Sequence, residues 1–249
     1  MEGGGVEKNL IIISNYVSKF IENVNIITFD NSFNKYFCKK IKIINFRKNK
    51  KKKYSKYFKY ICCIWLLIKE YFTDKNILVF TFQANIYGII LSYFLNFKII
   101  SRSNSSPSGW NNNIIKNMIF SFFIKKANKV IVNSKEFQKE FKTKFSVNAG
   151  IIYNPLNKSE IIKKSKIKNK SLTPFFKGKN FKIINIGRLT HQKDHLTLIK
   201  ALNIISKKIN FRMLIIGYGI NKNIIKKKID YYNLNKFIKI INNKYNPYP

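Results

Sequence analysis

The chain has 249 residues, 45% of them hydrophobic, so it can bury a sizeable core, and an intrinsically disordered protein is excluded. Its formal net charge is +37, from 48 basic and 11 acidic residues, which is typical of proteins that meet nucleic acid or an anionic membrane. Only four basic residues are arginines, and base readout depends on the bidentate arginine fork. Much of the lysine excess therefore fits an A/T-rich codon bias, with a residual attraction to anionic lipid.

The cysteines and the start of the chain predict a cellular compartment. The three cysteines, Cys38, Cys62 and Cys63, form neither a disulfide framework nor a metal-ligand spacing. Met1 is followed by a glutamate and three glycines, which do not resemble a signal peptide. We expect a cytoplasmic protein, with peripheral contact at the inner face of the cytoplasmic membrane.

Short apolar runs rich in β-branched residues alternate with longer amphipathic segments along the chain. The runs predict strands at 23–29, 41–46, 76–82, 97–103, 129–134, 149–155, 180–187, 210–216 and 236–241. The segments between them predict helices after the N-terminal glycines and at 57–72, 84–96, 113–126, 135–143, 192–206 and 221–232. Strands that are apolar on both faces and alternate with helices indicate an α/β protein with parallel sheets covered on both sides.

The stretch 77–100 has the length of a membrane span, and two interpretations are open. Gln83, Asn85 and Asn96 interrupt it, and amides in hydrocarbon lack partners. Strand, helix and strand is the favoured interpretation, because the first two amides then fall at a turn. Insertion of this stretch into a membrane is the alternative.

A polar, lysine-rich stretch at 157–179 interrupts the alternation and predicts a linker. It divides the chain into an N-terminal Rossmann-like domain at 1–156 and a second Rossmann-like domain at 180–249. The second domain contains about three strands, which can bury only a small hydrophobic core of their own.

One arginine stands out by its position. Arg188 follows a predicted strand and Gly187, and Lys193 lies at the predicted start of the next helix. Ligands of open parallel sheets bind at the carboxyl ends of strands, where a helix N-terminus offers free N–H groups. A guanidinium and an ammonium at that place predict a site for phosphate or diphosphate. Lysine is common throughout this chain, so Arg188 is the more informative residue.

Histidines and further glycines give weaker signals. His191 and His195 are four residues apart, but residue 192 is a glutamine where a zinc protease needs a glutamate, so both are interpreted as surface or cap residues. The glycines at 3–5 precede a helix, and they form either a flexible N-terminus or a place where a ligand approaches the backbone amides. The sequence "GYG" at 217–219 follows a strand, and it is either an ordinary turn or a place where a nucleotide approaches the backbone.

Four segments together resemble the family 4 glycosyltransferases with the GT-B fold. The core signature of this family is resembled by one segment, which runs from "GRLTHQKDHLTLIKAL" to "FRMLIIGYG". A second segment, "GGGVEK", resembles the Gly-Gly-x-Glu sequence that opens the first helix in the family. "KKANKVIVNSKEFQKEF" resembles an Ala-Asp-x-Val-x-x-x-Ser segment, and "IIYNPLN" resembles the turn that closes the N-terminal domain. The order and spacing of these segments cover nearly the whole chain.

The resemblance implies a retaining, hexosyltransferase-type enzyme of bacterial surface polysaccharide or glycolipid assembly. It would move a sugar from a nucleotide-diphosphate sugar to a polysaccharide or lipid-linked saccharide. The N-terminal domain would lie on the acceptor side and the second domain would bind the donor. Arg188 and Lys193 would be catalytic, stabilising the diphosphate leaving group. The glycines that would contact the donor are Gly4, Gly5, Gly187, Gly217 and Gly219. No Asp-x-Asp occurs, so the resemblance implies no metal and no cofactor.

The sequence also departs from the family pattern. Family members have a strand before the Gly-Gly turn and a paired-glutamate motif after the point where this sequence ends, and a histidine stands where this chain has Arg102, Ser103 or Asn104. These departures predict a fragment truncated at both ends and lacking turnover by itself. A basic nucleic-acid-binding protein and a GT-B-like sugar-nucleotide epimerase or phosphorylase are the alternative functions.

Overall fold

The computed structural model describes residues 4–47, 54–83, 85–107, 114–167 and 172–242. The predicted lysine-rich loop at 48–53, part of the predicted linker and the last seven residues lie outside these ranges. The chain divides into two compact units, Met1–Leu156 and Asn157–Pro249.

The N-terminal unit alternates helices and strands as the apolar pattern predicts. Its elements are α1 (Gly5–Val17), β1 (Asn25–Asp30), β2 (Lys42–Arg47), α2 (Lys56–Thr73), β3 (Leu78–Thr81), α3 (Asn85–Leu95), β4 (Lys98–Ser103), α4 (Ile114–Ile124), β5 (Lys129–Val132), α5 (Lys135–Phe145) and β6 (Gly150–Ile151). Serine side chains cap two of the helices: Ser55 accepts a hydrogen bond from the Phe58 amide, and Ser134 accepts one from the Phe137 amide, each at 3.2 Å. Such caps satisfy amides that have no partner within the helix.

All strand pairings in this unit are parallel. β1 pairs with β2, and β3, β4, β5 and β6 form a second sheet in chain order. The main core lies between this second sheet and its helices, and its fully buried members include Ile89, Ile99, Val132 and Phe141. β-branched and aromatic side chains on strands covered by helices explain why these runs are apolar on both faces.

The stretch 77–100 folds as strand, helix and strand, as favoured from its sequence. α3 lies close against the sheet at Gly88, where an added Cβ would come 2.9 Å from Thr81 Cγ2 and 3.2 Å from Ile99 Cδ1. Asn85 donates to the Arg102 carbonyl at 2.7 Å, so this amide has a partner at the turn. Within the described ranges, no helix has both the length and the apolar character needed to cross a membrane.

The C-terminal unit contains α6 (Lys158–Ser165), β7 (Phe181–Ile186), α7 (His195–Ser206), β8 (Phe211–Ile216), α8 (Lys222–Tyr231) and β9 (Ile238–Ile241). The three strands among its described residues form one parallel sheet in chain order. α7 and α8 bury Ile199, Leu202 and Ile225 with the strand residues Phe211 and Met213. The predicted α/β fold with parallel sheets is therefore confirmed in both units.

The stretch predicted as a linker contains regular structure. α6 occupies Lys158–Ser165, and Asn157 caps it by accepting a hydrogen bond from the Glu160 amide at 3.1 Å. The Asn157 amide group also donates to the Glu160 carboxylate at 3.2 Å. The Asn157 side chain therefore caps α6, and the high lysine content of the segment did not prevent a helix from forming.

Candidate functional site

The loops that follow β7 and β8 are joined by backbone hydrogen bonds. The Gly187 amide donates to the Ile216 carbonyl at 3.0 Å, and the Leu189 amide donates to the Tyr218 carbonyl at 2.8 Å. The Leu189 carbonyl accepts from the Asn221 amide at 3.0 Å, and the Leu189 side chain is fully buried in the core. Leu189 therefore anchors the loop, a role that its sequence position between Arg188 and a threonine did not suggest.

Two of the predicted donor-site glycines are required by this junction. A Cβ on Gly217 would lie 1.9 Å from the Gly187 carbonyl oxygen, and a Cβ on Gly219 would lie 2.3 Å from the Leu189 carbonyl oxygen. Real Cβ atoms do not approach backbone this closely, so only glycine fits at either position. The close contact of the two loops is a sufficient reason for both glycines, and their role toward a nucleotide stays a prediction.

The loop after β7 carries two exposed cations, Arg188 and Lys193. A Cβ placed on Gly187 would meet the Lys193 methylenes at 3.6–3.7 Å, so the lysine stem lies against the backbone next to Arg188. Within the described part of the chain, neither side chain has a hydrogen-bond or carboxylate partner. The structure thus brings both predicted site residues to the carboxyl end of β7, with their charges available to an anion.

The helix after this loop begins later than the sequence predicted. His191–Lys193 form a 3₁₀ turn, Asp194 adopts a left-handed conformation (φ 41°, ψ 51°), and α7 begins at His195. Asp194 caps α7, since its carboxylate accepts from the Thr197 amide at 3.3 Å. Hydrogen bonds from the Thr197 hydroxyl and amide lower the pKa of Asp194. Because a carboxylate already occupies this helix end, the positive charge of the site comes from Arg188 and Lys193 rather than from free helix amides.

His195 is buried, so its interpretation as a surface or cap residue was wrong; His191 is exposed as expected. The His195 Nε2 atom lies 3.1 Å from Asn185 Oδ1, and its buried Nδ1 atom has no partner among the described residues. Burial lowers the pKa of His195, and the nearby Lys193 ammonium lowers it further. His195 is therefore neutral at pH 7 and holds Asn185 on β7 to the first turn of α7.

This buried histidine predicts an acid-sensitive fold. The pKa of His195 is lower in the folded than in the unfolded chain, so at mildly acidic pH the unfolded state binds the extra proton. Its stabilising contribution is complete above the unfolded pKa, about 6.5, and is lost as the pH falls through the folded pKa. We expect His195→Gln to make the thermal unfolding midpoint depend less on pH between neutral and mildly acidic buffers, as measured by circular dichroism.

His191→Gln is the matched control, because it removes an exposed histidine from the same loop. It should keep the pH dependence of the wild-type midpoint. An unchanged slope in His195→Gln, or an equal flattening in both variants, would show that another group controls the acid sensitivity.

The predicted glycines of the N-terminal unit lie at the start of α1. Gly4 is the N-cap residue, and no side chain caps this helix end. A Cβ on Gly5 would meet nothing within 4 Å, and one on Gly4 would meet Glu7 Oε2 at 3.0 Å. These first-turn amides are therefore uncapped by side chains, which is compatible with the predicted contact to an anionic ligand. Within the described ranges, no group of three or more His, Cys, Asp or Glu residues is arranged to hold a metal ion.

Arg102, at the end of β4, is a fully buried member of a polar cluster. Its Nη2 donates to Asn154 Oδ1 at 2.9 Å and to the Ile152 carbonyl at 3.3 Å. Asn9 of α1 donates to the same Asn154 oxygen at 2.7 Å. Burial lowers the pKa of the Arg102 guanidinium, whose Nη1 atom has no partner among the described residues. Arg102 therefore positions α1 against the chain after β6, and its burial keeps it from a ligand in this conformation.

Comparison with known proteins gives a family match for the C-terminal unit. Residues 166–248 match the family model described as glycosyl transferases group 1. This range includes the loops that carry Arg188, Lys193, Gly217 and Gly219. An uncharacterized glycosyltransferase of Methanocaldococcus jannaschii is 28% identical over 135 residues, which cover 53% of this chain and 33% of that protein.

Solved structures of glycosyltransferases share the fold. Anabaena HepE, solved with UDP and glucose, aligns with a TM-score of 0.70 at 16% identity, over 98% of this chain and 67% of HepE. HepE in complex with UDP gives a TM-score of 0.67 at 15% identity, over 97% of this chain and 66% of HepE. The lipopolysaccharide outer core galactosyltransferase WaaB gives 0.55 at 16% identity, over 96% of this chain and 64% of WaaB. The chain thus spans about two thirds of these structures, and the expected GT-B type of α/β fold is confirmed.

Proposed function

We propose that this chain, with the fold of solved glycosyltransferases and a glycosyl transferases group 1 match over residues 166–248, acts in sugar transfer from a nucleotide-sugar donor. The acceptor that we propose is a polysaccharide or lipid-linked saccharide, and the transfer retains the configuration at the sugar. The observation that carries this proposal is the pair of exposed cations, Arg188 and Lys193, which have no partner among the described residues and lie on a loop hydrogen bonded to its neighbour at the carboxyl end of β7.

The chemistry of the donor explains why two cations are needed. As the bond between the sugar anomeric carbon and the diphosphate oxygen breaks, its electron pair moves to the diphosphate, whose negative charge grows. The acceptor hydroxyl oxygen forms the new bond to the anomeric carbon, and its proton passes to the departing diphosphate oxygen. Arg188 presents a planar fork that fits two phosphate oxygens, and Lys193 adds a compact charge. In this proposal these side chains take the part of a metal ion, and no metal or other cofactor takes part.

The glycines complete the proposed donor site in each unit. Gly217 and Gly219 let the loops after β7 and β8 lie in close contact, and we propose that the backbone of these loops, with Gly187, borders the nucleotide. Gly4 and Gly5 offer the uncapped amides of α1 to an anionic group. Because HepE was solved with UDP and with UDP-glucose, a uridine nucleotide is the first donor to test.

Binding of UDP provides the direct test. We expect millimolar UDP to shift the amide resonances around Arg188 and Lys193 in a two-dimensional NMR titration, even if binding is weak. Loss of a charge-assisted hydrogen bond is worth about 1.5–3 kcal/mol, so Arg188→Ala should weaken UDP binding about 10- to 150-fold.

Arg212→Ala is the matched control for this titration. It removes the same charge from the same unit, but near the amino end of β8, where Arg212 donates to Asn210 Oδ1 at 3.2 Å and to the Phe211 carbonyl at 3.0 Å. The control should bind UDP with wild-type affinity. Equal weakening in both variants would indicate a general effect of charge, and the absence of any shift would contradict the proposed donor site.

We also propose peripheral contact with an anionic membrane at its cytoplasmic face. The lysine excess supports this, since each lysine near anionic headgroups gains about 1 kcal/mol, and salt screens the gain. The nucleic-acid alternative has less support, because Arg102 is buried and only three arginines are left for base readout.

A further inference from the structure

α4 has an apolar face on each side. Phe120, Phe123 and Ile124 pack into the core of the N-terminal unit. The other side carries apolar residues exposed to solvent: Ile114 (74% exposed), Ile115 (68%), Met118 (67%), Ile119 (47%) and Phe122 (54%). Their spacing of three or four residues places them along one stripe of the helix. A stripe of this kind is far more apolar than the surface of an ordinary exposed helix.

The exposed stripe continues onto the end of α3. Tyr93 stacks edge-on against Phe123, with ring centroids 6.1 Å apart, and the next residue, Phe94, is 72% exposed. Lys126 lies at the seam between the two helices, with its Nζ 5.4 Å from the Tyr93 ring centroid and 5.3 Å from that of Phe122. We name this surface, formed by the exposed residues of α4 with Tyr93 and Phe94, the α3–α4 patch.

The charges around the α3–α4 patch decide between partners. Neither helix contains an aspartate or a glutamate, and exposed lysines follow α4 at Lys125, Lys126 and Lys129. A second copy of this chain would bring lysines against lysines, which is unfavourable. An anionic lipid surface accepts both features, because apolar side chains enter the acyl boundary while lysines stay at the headgroups.

We infer that the α3–α4 patch is the surface by which this chain inserts into the interface of an anionic membrane. α4 has 11 residues, about 16 Å of helix, so it lies in the plane of the interface instead of crossing it. The inference rests on the peripheral membrane contact proposed above and specifies where that contact occurs. It is independent of sugar transfer.

Vesicle binding tests the inference. We expect the chain to co-sediment with vesicles of mixed phosphatidylglycerol and phosphatidylcholine, and much less with phosphatidylcholine alone. Each large aliphatic side chain that loses its lipid contact should lower partitioning about tenfold, so Ile115→Ser with Met118→Ser should lower it about 100-fold. Lys125→Gln with Lys126→Gln should weaken binding at low salt and match the wild type at high salt.

The matched control replaces two equally exposed apolar residues of the C-terminal unit, Ile220 (86%) and Tyr231 (73%), by serine. This variant should bind vesicles like the wild type. Circular dichroism and the UDP-induced NMR shifts should be retained in every variant, which separates the vesicle result from misfolding and from the donor site.

Three outcomes would overturn the inference. If the wild type does not bind anionic vesicles at all, the peripheral contact itself is wrong. If the wild type binds and the Ile115 and Met118 variant binds equally well, the contact lies elsewhere. If light scattering shows a wild-type dimer that this variant abolishes while vesicle binding is unchanged, the α3–α4 patch pairs two copies of the chain.

Discussion

Arg188→Ala is expected to lower the rate of sugar transfer about 10²–10³-fold, equivalent to roughly 2.7–4 kcal/mol of transition-state stabilisation. The reason is that negative charge on the diphosphate increases as the donor bond breaks, so a cation placed there stabilises the transition state more than the bound substrate. Lys193→Ala should have an effect of the same order, because its stem lies against Gly187 beside Arg188. Both changes should lower kcat, with a smaller effect on KM.

The rate is measured as UDP release from UDP-glucose with water as the sugar acceptor, so the saccharide acceptor need not be known. Residues 1–249 are assayed beside a longer version that matches the length of the solved relatives, of which this chain spans about two thirds. Arg212→Ala and Lys182→Ala are the controls, since they remove exposed or partly exposed cations near the amino ends of β8 and β7. Turnover of Arg188→Ala and Lys193→Ala at the rate of these controls would refute the assignment.

Gly217→Ala should destabilise the C-terminal unit by about 3 kcal/mol or more. The new Cβ would lie 1.9 Å from the Gly187 carbonyl oxygen and 3.0 Å from its carbonyl carbon. Both atoms belong to backbone that is hydrogen bonded to β8, so neither can move without breaking the junction between the loops. A loss of this size corresponds to a fall of about 12–24 °C in the unfolding midpoint of this unit, measured by differential scanning calorimetry.

Gly187→Ala is the control on the other side of the same junction. Its Cβ would meet only the flexible Lys193 methylenes, at ordinary van der Waals distance, so the midpoint should change little. A Gly217→Ala protein that melts like Gly187→Ala would mean that the two loops are farther apart in solution than the structure shows.

The order of helices and strands could be predicted because each strand is a short apolar run with polar or glycine residues at its ends. Ile131 and Val132 in β5, or Ile215 and Ile216 in β8, are buried on both faces of their strands. Such runs have few alternatives to a covered parallel strand. The position of Arg188 could also be predicted, since a strand followed by a glycine defines the carboxyl edge of a sheet whatever the packing around it.

The details around the site depended on competition between neighbouring residues. The sequence placed Lys193 in the first turn of a helix, but Asp194 is the better N-cap and shifted the start of α7 to His195. Asn157 is likewise a recognisable N-cap residue, inside a stretch whose polar and lysine-rich composition predicted a linker. In both places the local capping signal was more reliable than the overall composition.

The buried polar residues were beyond prediction for a different reason. His195 is held by Asn185, a polar residue between Ile184 and Ile186 in β7, which was a usable signal. Arg102, however, bonds to Asn154, 52 residues later. No local sequence pattern predicts a hydrogen-bond partner so far away in the chain. The hydrogen bond between Arg102 and Asn154 forms only after several parallel strands have been placed side by side.

The hydrogen bond between Asn9 and Asn154 also affects the order in which contacts form while the chain is being synthesised. The two residues are 145 positions apart, so at ~5–20 residues per second the ribosome adds the second one about 7–30 s after the first. During this interval the first helix lacks one of its buried partners, whereas β1 and β2 can pair early, because their partners are 17 residues apart. α1 can therefore pack early against Ile26, Phe37 and Ile41, while its hydrogen bond to Asn154 is among the last contacts of the unit to form.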